Sequence, residues 1–532
     1  MTTEKKTILN NRYFLYATEF FSGMSVMAVE LGASRLLAPY FSSSQIVWTV
    51  IIGAIMIAMA LGNVWGGRAA DKNPDPGKLY FRLLIAAVWI GLIPFVGKYI
   101  IAGISLLIAS FVSHNFLVWA SLASCLVLFV FPLMLLGTVT PSLVKYTVQD
   151  LENNGAVVGR LGALNTIGSI IGTFLPTFVT IPAFGTAATF LIFAAVLLLL
   201  SVLYFVTAKR RVIACGAAAA VLIVSSFFSA DYSFAFWANN LVYEDESIYN
   251  YLQVQDNPDS VVLSTNVLAG VQSMMRKDGQ LTGMYYDYAL AAPLMAGKAD
   301  EAEVLVLGMG TGTYATMCTR YFPGIKAEGV EIDEKIAALA REYFELPEEV
   351  KVTVADGRAF LQGAGKYDVI LVDAYQDITI PFQMSSREFF TEVKEHLTEN
   401  GVMVVNMNMR SGKEGAINDY LADTVASVFP DVVQIPTANG FNIELFACTD
   451  GKMLERLDEA LRNGQPEDGQ LNRMMQQVAS GLEPVRGGSL ILTDDKAPVE
   501  VLGMQVIDEI IGEELEYYRE IIRSGNWKEL LQ

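Results

Sequence analysis

The chain has 532 residues, of which 53% are hydrophobic and only 17% charged, so it is too long for one ordinary domain and too apolar for a purely soluble protein. Its two His and four Cys, none at CxxC spacing, disfavour a zinc site, a disulfide framework and chemistry built on a His base, which leaves acid–base work to carboxylates and tyrosines. Residues 1–231 carry 14 Lys and Arg against 8 Asp and Glu, whereas the rest carries 23 against 48, a balance that disfavours nucleic acid as a partner.

Long apolar runs dominate the first 232 residues. A helix of about 20 residues crosses the roughly 30 Å of bilayer hydrocarbon, so runs of about 18 residues or more are predicted to span. The run at 99–112 is shorter and is predicted to be either a re-entrant piece or an extension of its neighbour. About seven spans are predicted, at 13–38, 45–66, 79–97, 116–144, 161–182, 186–208 and 212–230.

Basic loop residues bear on the orientation of these spans. They cluster at 5–12, 68–82, 145–160 and 209–211, and an even number of predicted spans separates each cluster from the next. All four clusters can therefore face the cytoplasm, as loops rich in Lys and Arg usually do. If 212–230 also spans, the second half of the chain lies outside; otherwise it is cytoplasmic. We expect the cytoplasmic side, and the sequence leaves this choice open.

Three charged residues fall inside the first predicted span: Glu19, Glu30 and Arg35. Charge within hydrocarbon is costly and is usually paired or functional. Glu30 and Arg35 are five positions apart and share a helical face poorly, so a partner on another helix is expected. A structural ion pair and a transport or lipid site both stay open for these residues.

After residue 240 the pattern becomes that of a soluble α/β protein. Short strands near 249–256, 260–266 and 270–276 predict a small antiparallel subdomain. From Glu303 onward strands and helices alternate, which is typical of a parallel sheet covered by helices. We predict strands at 303–308, 326–331, 350–355, 367–373 and 401–407, helices at 312–322, 333–344, 357–362, 386–398 and 413–428, and a strand pair at 432–437 and 442–448 around the Asn439-Gly440 turn.

Polar motifs stand at the ends of the predicted parallel strands, where doubly wound folds bind their ligands. Gly308, Gly310 and Gly312 follow the first strand and would let the backbone approach a ligand closely. A dinucleotide fingerprint would need glycine at position 313, where Thr313 stands, so a loop of the S-adenosylmethionine (SAM) type is favoured over an NAD loop. Glu331 ends the second strand, where a carboxylate can accept both hydroxyls of a ribose.

Two further acidic motifs follow the third and fourth strands. Asp356-Gly357 stands where an adenine amino group would need an acceptor, and Asp373 and Asp377 follow the fourth strand. Any one of these acids could be a helix N-cap or a solvated loop residue. Acids at successive strand ends beside a glycine loop together predict a site for a SAM-like nucleoside.

Between residues 241 and 450 the chain contains the glycine loop, VEIDE (330–334), ADGRAFL (355–361), YDVILVDAY (367–375), SSREFF (385–390), YEDESIYNYLQV (243–254) and YYDYALAAP (285–293). Together these motifs resemble the spermidine synthase (polyamine aminopropyltransferase) family. The segments 30–48 and 60–71 resemble the membrane part of bacterial proteins that fuse a transporter-like bundle to such a domain.

This resemblance implies the architecture. A multi-span α-helical membrane domain (1–232) would be fused to a small antiparallel β subdomain (233–296) and to an α/β Rossmann-like domain of the SAM-methyltransferase type (297–532). The expected location is a bacterial-type inner (plasma) membrane, with the lipid bilayer as partner. A homodimer is a further expectation, and no metal is implied.

The resemblance also implies a reaction. A polyamine such as putrescine would attack the carbon next to the sulfonium of decarboxylated SAM, and 5′-methylthioadenosine would leave. Asp373 matches the family's base, with Tyr285 as a pocket tyrosine and Asp377 as a second loop acid. The residues expected to bind the donor are Gly308, Gly310, Thr311, Gly312, Glu331, Asp356, Gly357 and Asn250.

The chain departs from the family pattern at several of these positions. Thr311 replaces an Asp that pairs with the amine of decarboxylated SAM, Asn250 replaces a glutamine, Tyr286 replaces a histidine, and Asp377 falls one residue late. An Asp about 4 Å from the carboxylate of intact SAM would cost on the order of 4 kcal/mol at an effective dielectric near 20, and Thr311 removes that barrier. Three functions therefore stay open: polyamine aminopropyl transfer, a SAM lyase or cyclase without an acceptor, and a non-catalytic transporter or sensor.

Overall fold

The computed structural model describes residues 8, 11–112, 114–147, 154–230, 233–267, 270–374, 380–409, 411, 413–438, 440 and 442–524. The chain divides into two compact units. One comprises Met1–Phe236 and Tyr518–Gln532 and is named here the helical half; the other, Trp237–Tyr517, is named the α/β half.

Apolar helices build the helical half. Among the described residues, six helical stretches are long and apolar enough to cross a membrane, as expected of a multi-pass membrane protein. The helices are α1 (Arg12–Phe41), α2 (Gln45–Lys72), α3 (Pro76–Ala109), α4 (Phe116–Cys125), α5 (Phe131–Gly137), α6 (Val139–Thr147), α7 (Asn154–Leu175), α8 (Ile181–Thr207) and α9 (Val212–Ala230). Short π-helical segments, Leu126–Val130 and Pro176–Thr180, join α4 to α5 and α7 to α8.

The count of six differs from the seven predicted spans for a local reason. The predicted spans 161–182 and 186–208 lie on one stretch of 53 residues, Gly155–Thr207. Gly185 interrupts this stretch with a φ of 80°, a conformation that glycine adopts readily. The short run at 99–112 extends its neighbour, because α3 continues to Ala109.

Helices α1 and α7 approach each other closely through glycines. A Cβ at Gly168 would lie 2.0 Å from the carbonyl oxygen of Phe20, and one at Gly172 would lie 2.1 Å from that of Met24. Small residues at such spacing let membrane helices pack backbone against backbone.

Helix α9 runs alongside α3 in the same direction. Near its start the Arg211 guanidinium lies 3.9 Å from the ring centre of Phe81, and near its end the Phe228 ring lies 5.1 Å from that of Phe95. The predicted run 212–230 therefore traverses the helical bundle.

A small antiparallel sheet begins the α/β half. Its order is β1 (Leu241–Glu246), β2 (Tyr251–Asp256), β3 (Ser260–Ser264) and β4 (Ser273–Arg276). The sequence predicted an antiparallel subdomain here without β1. That strand is acidic and half-exposed, so it lacks the apolar alternation that marks the others.

A mixed sheet forms the rest of this half, with helices between its strands. In the described part of the chain it has eight strands in the order β12-β10-β11-β9-β8-β5-β6-β7. Strands β7, β6, β5, β8 and β9 are parallel, whereas β11, β10 and β12 add antiparallel neighbours beyond β9. The elements are α10 (Tyr285–Ala289), α11 (Ala291–Met295), β5 (Glu303–Leu307), α12 (Thr313–Tyr321), β6 (Lys326–Glu331), α13 (Glu334–Tyr343), β7 (Lys351–Val354), α14 (Gly357–Leu361), β8 (Tyr367–Val372), α15 (Arg387–Glu395), β9 (Leu397–Met407), α16 (Ile417–Ala426), β10 (Asp431–Pro436), β11 (Ile443–Cys448), α17 (Met453–Arg462), α18 (Gly469–Gly481), β12 (Glu483–Pro484) and α19 (Val499–Ser524).

Both faces of this sheet are buried. Val304 and Val306 of β5 point into one apolar layer, and Leu305 and Leu307 point into the other. This explains why the central strands are continuous apolar runs in the sequence, and it confirms the Rossmann-like class. The strand order reverses at β5, so the gap between the ends of β5 and β8 is the place where such folds bind ligands.

Candidate functional site

A cleft opens at the carboxyl ends of β5, β6 and β8. It includes seven residues that the sequence predicted for the site: Asn250, Gly308, Gly310, Glu331, Asp356, Gly357 and Asp373. Its other walls come from Tyr249, Thr265, Gln272, Val330, Ile332, Ile336, Ala355, Ala374, Pro381, Gln383 and Met384. The topological rule for strand ends thus brings distant acids to one place.

The glycine loop connects β5 to α12 beneath this cleft. Gly308 has a φ of +82°, and a Cβ there would lie 2.4 Å from the Cα of Ala374, so only glycine fits against the end of β8. Thr311 and Gly312 do not line the cleft. The Thr311 N–H donates to Ser273 Oγ at 3.2 Å, and its buried hydroxyl has no hydrogen-bond partner among the described residues.

Glu331 is fixed by backbone donors. Its two carboxylate oxygens accept hydrogen bonds from the N–H groups of Gly310, at 2.8 Å, and Asp333, at 3.0 Å. Burial raises the pKa of Glu331 to about 7, although these N–H groups oppose the rise. Asn250 supports the arrangement indirectly, because its Nδ2 donates to Asp333 Oδ2 at 3.1 Å.

Asp356 is a helix N-cap, which is one of the roles that the sequence left open for it. Its Oδ1 accepts the N–H of Ala359 at 2.9 Å and caps α14, which begins at Gly357. The same side chain borders the cleft, so capping holds the carboxylate in place beside the space for a ligand.

Asp373 lies immediately after β8 and accepts two side-chain hydrogen bonds. The Tyr285 hydroxyl donates to its Oδ2 at 2.5 Å, and Asn406 Nδ2 donates to its Oδ1 at 2.7 Å. Although the carboxyl is partly exposed to the cleft, desolvation by the surrounding protein raises its pKa to about 7. The two donors lower the pKa, and the charge of Glu331 raises it further.

Two residues near Asp373 were not predicted from the sequence. Asn406 of β9 accepts a hydrogen bond from Asn442 at 2.7 Å, which orients its amide towards Asp373. Glu444 of β11 pairs directly with Asn406 across the sheet, is fully buried, and has no hydrogen-bond partner for either oxygen among the described residues. Burial, and then the charge of Asp373, raise the pKa of Glu444 well above its ordinary value. A lone Glu inside the apolar run 443–448 is the signal that could have identified it.

One predicted residue cannot be placed. Asp377 falls in 375–379, outside the described residues. In the part of the chain that the structure describes, no group of three or more His, Cys, Asp or Glu is placed to hold a metal ion.

One protein family and several known proteins are similar to this chain. Residues 284–456 match the spermine/spermidine synthase domain. The chain is 52% identical over 318 residues to a probable polyamine aminopropyl transferase of Bifidobacterium longum. The matching region covers 56% of this chain and 70% of that protein. It is 28% identical over 264 residues to a polyamine aminopropyltransferase of Vibrio vulnificus, covering 47% and 82% of the two chains. A crystal structure of a probable spermidine synthase from Corynebacterium glutamicum is similar with a TM-score of 0.36 and 22% identity, covering 46% of this chain and 96% of that one.

Proposed function

Because the chain belongs to the spermidine synthase (polyamine aminopropyltransferase) family, we propose that its α/β half transfers the aminopropyl group of decarboxylated SAM to a polyamine such as putrescine. In this reaction a bond forms between the acceptor nitrogen and the carbon next to the sulfonium. The carbon–sulfur bond breaks, its electron pair neutralises the sulfur, and 5′-methylthioadenosine leaves. The acceptor nitrogen gives up one proton.

The observation that carries this proposal is the environment of Asp373. A nitrogen attacks only when it has a free electron pair, so a base beside it must hold its proton. Asp373 borders the cleft and has a pKa near neutrality, which suits proton exchange at physiological pH. Tyr285 and Asn406 each donate to one of its oxygens and so hold the carboxylate in a fixed orientation.

The donor nucleoside would lie along the strand ends between Gly308 and Asp356. Two backbone N–H groups hold the Glu331 carboxylate at the cleft. A carboxylate in this position could accept hydrogen bonds from the two hydroxyls of a ribose. Asp356 stands at the far wall with one oxygen fixed by capping, beside the space for an adenine. The positive sulfonium would then lie near Asp373, and holding both reactants in line supplies much of the rate.

Glu444 suits the remaining charge of the acceptor. A diamine brings a second ammonium group, which needs an anionic partner away from the reacting nitrogen. Glu444 of β11 pairs with Asn406 of β9, and Asn406 in turn donates to Asp373 after β8, so Glu444 lies two strands away from Asp373. A buried carboxylate without a partner among the described residues is expensive unless a bound cation compensates it. We therefore assign Glu444 to the distal end of the acceptor.

A second candidate is a lyase or cyclase that acts on intact SAM. It is favoured by Thr311, because the glycine loop has no acid to repel the carboxylate of intact SAM. This chemistry would also release 5′-methylthioadenosine, with the nucleophile supplied by SAM itself.

One assay separates these reactions. The purified full chain is incubated with decarboxylated SAM or with SAM, each with and without putrescine, and 5′-methylthioadenosine is measured. We expect product only from decarboxylated SAM with putrescine. Product from SAM alone would establish the second candidate, and binding of the nucleoside without any product would contradict both and leave a transporter or sensor.

Asp373→Asn tests the base in the same assay. The change keeps the shape of the side chain and removes its basicity, so the rate should fall by roughly 10²–10⁴-fold. Asp458→Asn, on the exposed surface of α17, is the matched control and should leave the rate unchanged. An active Asp373→Asn variant would remove Asp373 as the base.

A further inference from the structure

A carboxylate is buried inside the helical half, away from the cleft. Glu19 of α1 has no exposed surface. Thr140 Oγ1 and Asn165 Nδ2 both donate to its Oε1, at 2.5 Å and 3.0 Å. The second oxygen, Oε2, accepts no hydrogen bond from the described residues, and neither does the buried hydroxyl of Ser22 one turn further along α1.

These residues lie within the depth of the hydrocarbon. At 1.5 Å per residue, Glu19 is about 10 Å from the start of α1, and Asn165 is about 16 Å from the start of α7. Thr140 is about 10 Å from the end of α6, which lies at the same basic loop as the start of α7. Three helices therefore converge on Glu19 from one side of the membrane, roughly a third to a half of the way across a 30 Å core.

Glu19 has polar neighbours but no countercharge. No Lys or Arg of the described ranges forms an ion pair or hydrogen bond with it, and its two donors, Thr140 and Asn165, are neutral. An isolated carboxylate in a medium of low dielectric is unstable until it takes up a proton or binds a cation. The site is therefore incomplete with protein atoms alone.

The packing around Glu19 selects between these two ligands. Glycines bring α1 and α7 into backbone contact on this face, and a Cβ at Gly23 would lie only 2.5 Å from the carbonyl oxygen of Asn165. The donors on Oε1 fill one side of the carboxylate. A proton needs no additional volume, whereas an alkali cation needs several converging oxygens and an ammonium needs space.

We propose that Glu19 is a site in the helical half that binds and releases a proton. In the packing seen here Glu19 holds a proton on its carboxyl group. Movement of α1 against α6 and α7 would expose Glu19 to water and let the proton leave as the carboxylate forms. This activity is separate from aminopropyl transfer and involves none of the cleft residues.

Infrared spectroscopy of the full chain in lipid nanodiscs tests the proposal. At neutral pH we expect the wild-type spectrum minus the Glu19→Gln spectrum to show the carbonyl band of one un-ionised carboxyl group, which shifts in D₂O; the buried Glu444 contributes equally to both spectra. Glu30→Gln, a half-buried position on the same helix, is the matched control and should keep the band. A far-UV circular dichroism spectrum and melting curve equal to those of wild type show that the Glu19→Gln helical half is folded.

Two further results decide the assignment. Thr140→Val and Asn165→Leu each remove one donor to Oε1, so each should move the band to higher frequency. Identical spectra for wild type and Glu19→Gln would overturn the proposal. So would a Glu19 signal that responds to sodium or putrescine at fixed pH rather than to pH, because the ligand would then be a cation.

Discussion

At the scale of single residues, the role proposed for Asp373 as the base predicts how activity depends on pH. Burial raises its pKa to about 7, and the Tyr285 and Asn406 donors lower it. Only the carboxylate can take the acceptor's proton, so kcat/KM should rise with pH through about 7. Tyr285→Phe removes one donor, so the pKa of Asp373 should increase and the rising limb should move to higher pH.

The profile is measured as kcat/KM against pH for wild type and Tyr285→Phe. Tyr288→Phe is a suitable control, because the Tyr288 hydroxyl accepts the N–H of Ala438 and does not contact Asp373. A limb that stays in place in Tyr285→Phe, with only its height changed, would show that Tyr285 does not tune the base.

If Glu444 binds the distal ammonium of the acceptor as proposed, it should lower the stability of the protein without acceptor. Its folded-state pKa is raised, so its contribution to stability is fully present below the ordinary Glu pKa and is lost as pH rises and the buried group must ionise. Glu444→Gln removes this penalty, and we expect a gain on the order of 1–3 kcal/mol at pH 8 and a smaller one at pH 5. The same change should raise the KM for putrescine.

The measurements are thermal unfolding at the two pH values and the acceptor dependence of the rate. Glu455→Gln, at an exposed position on α17, should change neither. Loss of stability in Glu444→Gln at pH 8, with an unchanged KM, would assign Glu444 a structural role instead.

At the scale of elements, the strands predicted most accurately are those whose two faces are both buried in the mixed sheet. Strands β5, β6 and β8 are covered on both sides, and their predicted bounds agree with the structure to within one residue. Strands β5 and β8 appear in the sequence as apolar runs, as expected of strands with two buried faces. The acids at the ends of β6 and β8 line one cleft, because the carboxyl ends of parallel strands meet at the same edge of the sheet. Helices α17 and α18 and strand β1 were not predicted. Strand β1 lacks apolar alternation, whereas α18 buries Leu471, Met475 and Val478 at helical spacing, a pattern that the sequence does show.

The antiparallel strands explain what sequence reasoning missed in the cleft. Asn406 and Glu444 come together through the register of β9 with β11. In the sequence 37 residues lie between these two positions, and no motif marks them as a pair. A parallel sheet has a simple rule for where strand ends meet, whereas cross-strand neighbours depend on register.

At the scale of the whole molecule, α9 determines where the chain leaves the helical half. Lys98 Nζ donates to the carbonyl oxygen of Ser233 at 2.9 Å, and the Tyr40 hydroxyl donates to that of Phe234 at 3.1 Å. Tyr40 lies at the end of α1, opposite the end that begins at Arg12. The chain therefore emerges from α9 on the side away from the basic loops, which favours the alternative in which 212–230 spans.

Two single cysteines test this crossing in intact cells, since the four native cysteines are buried. Asn73→Cys lies in the basic loop after α2 and Asn239→Cys follows α9; both positions are exposed. A membrane-impermeant thiol reagent should label only one of them, and the bias of Lys and Arg predicts that it is Asn239→Cys. Equal labelling of both would show that α9 does not cross.

Labelling of Asn239→Cys reverses the cytoplasmic expectation and requires the donor on the outer face, because hydrocarbon excludes a permanently charged sulfonium. Labelling of Asn73→Cys alone would keep the crossing, invert the orientation, and place the cleft in the cytosol.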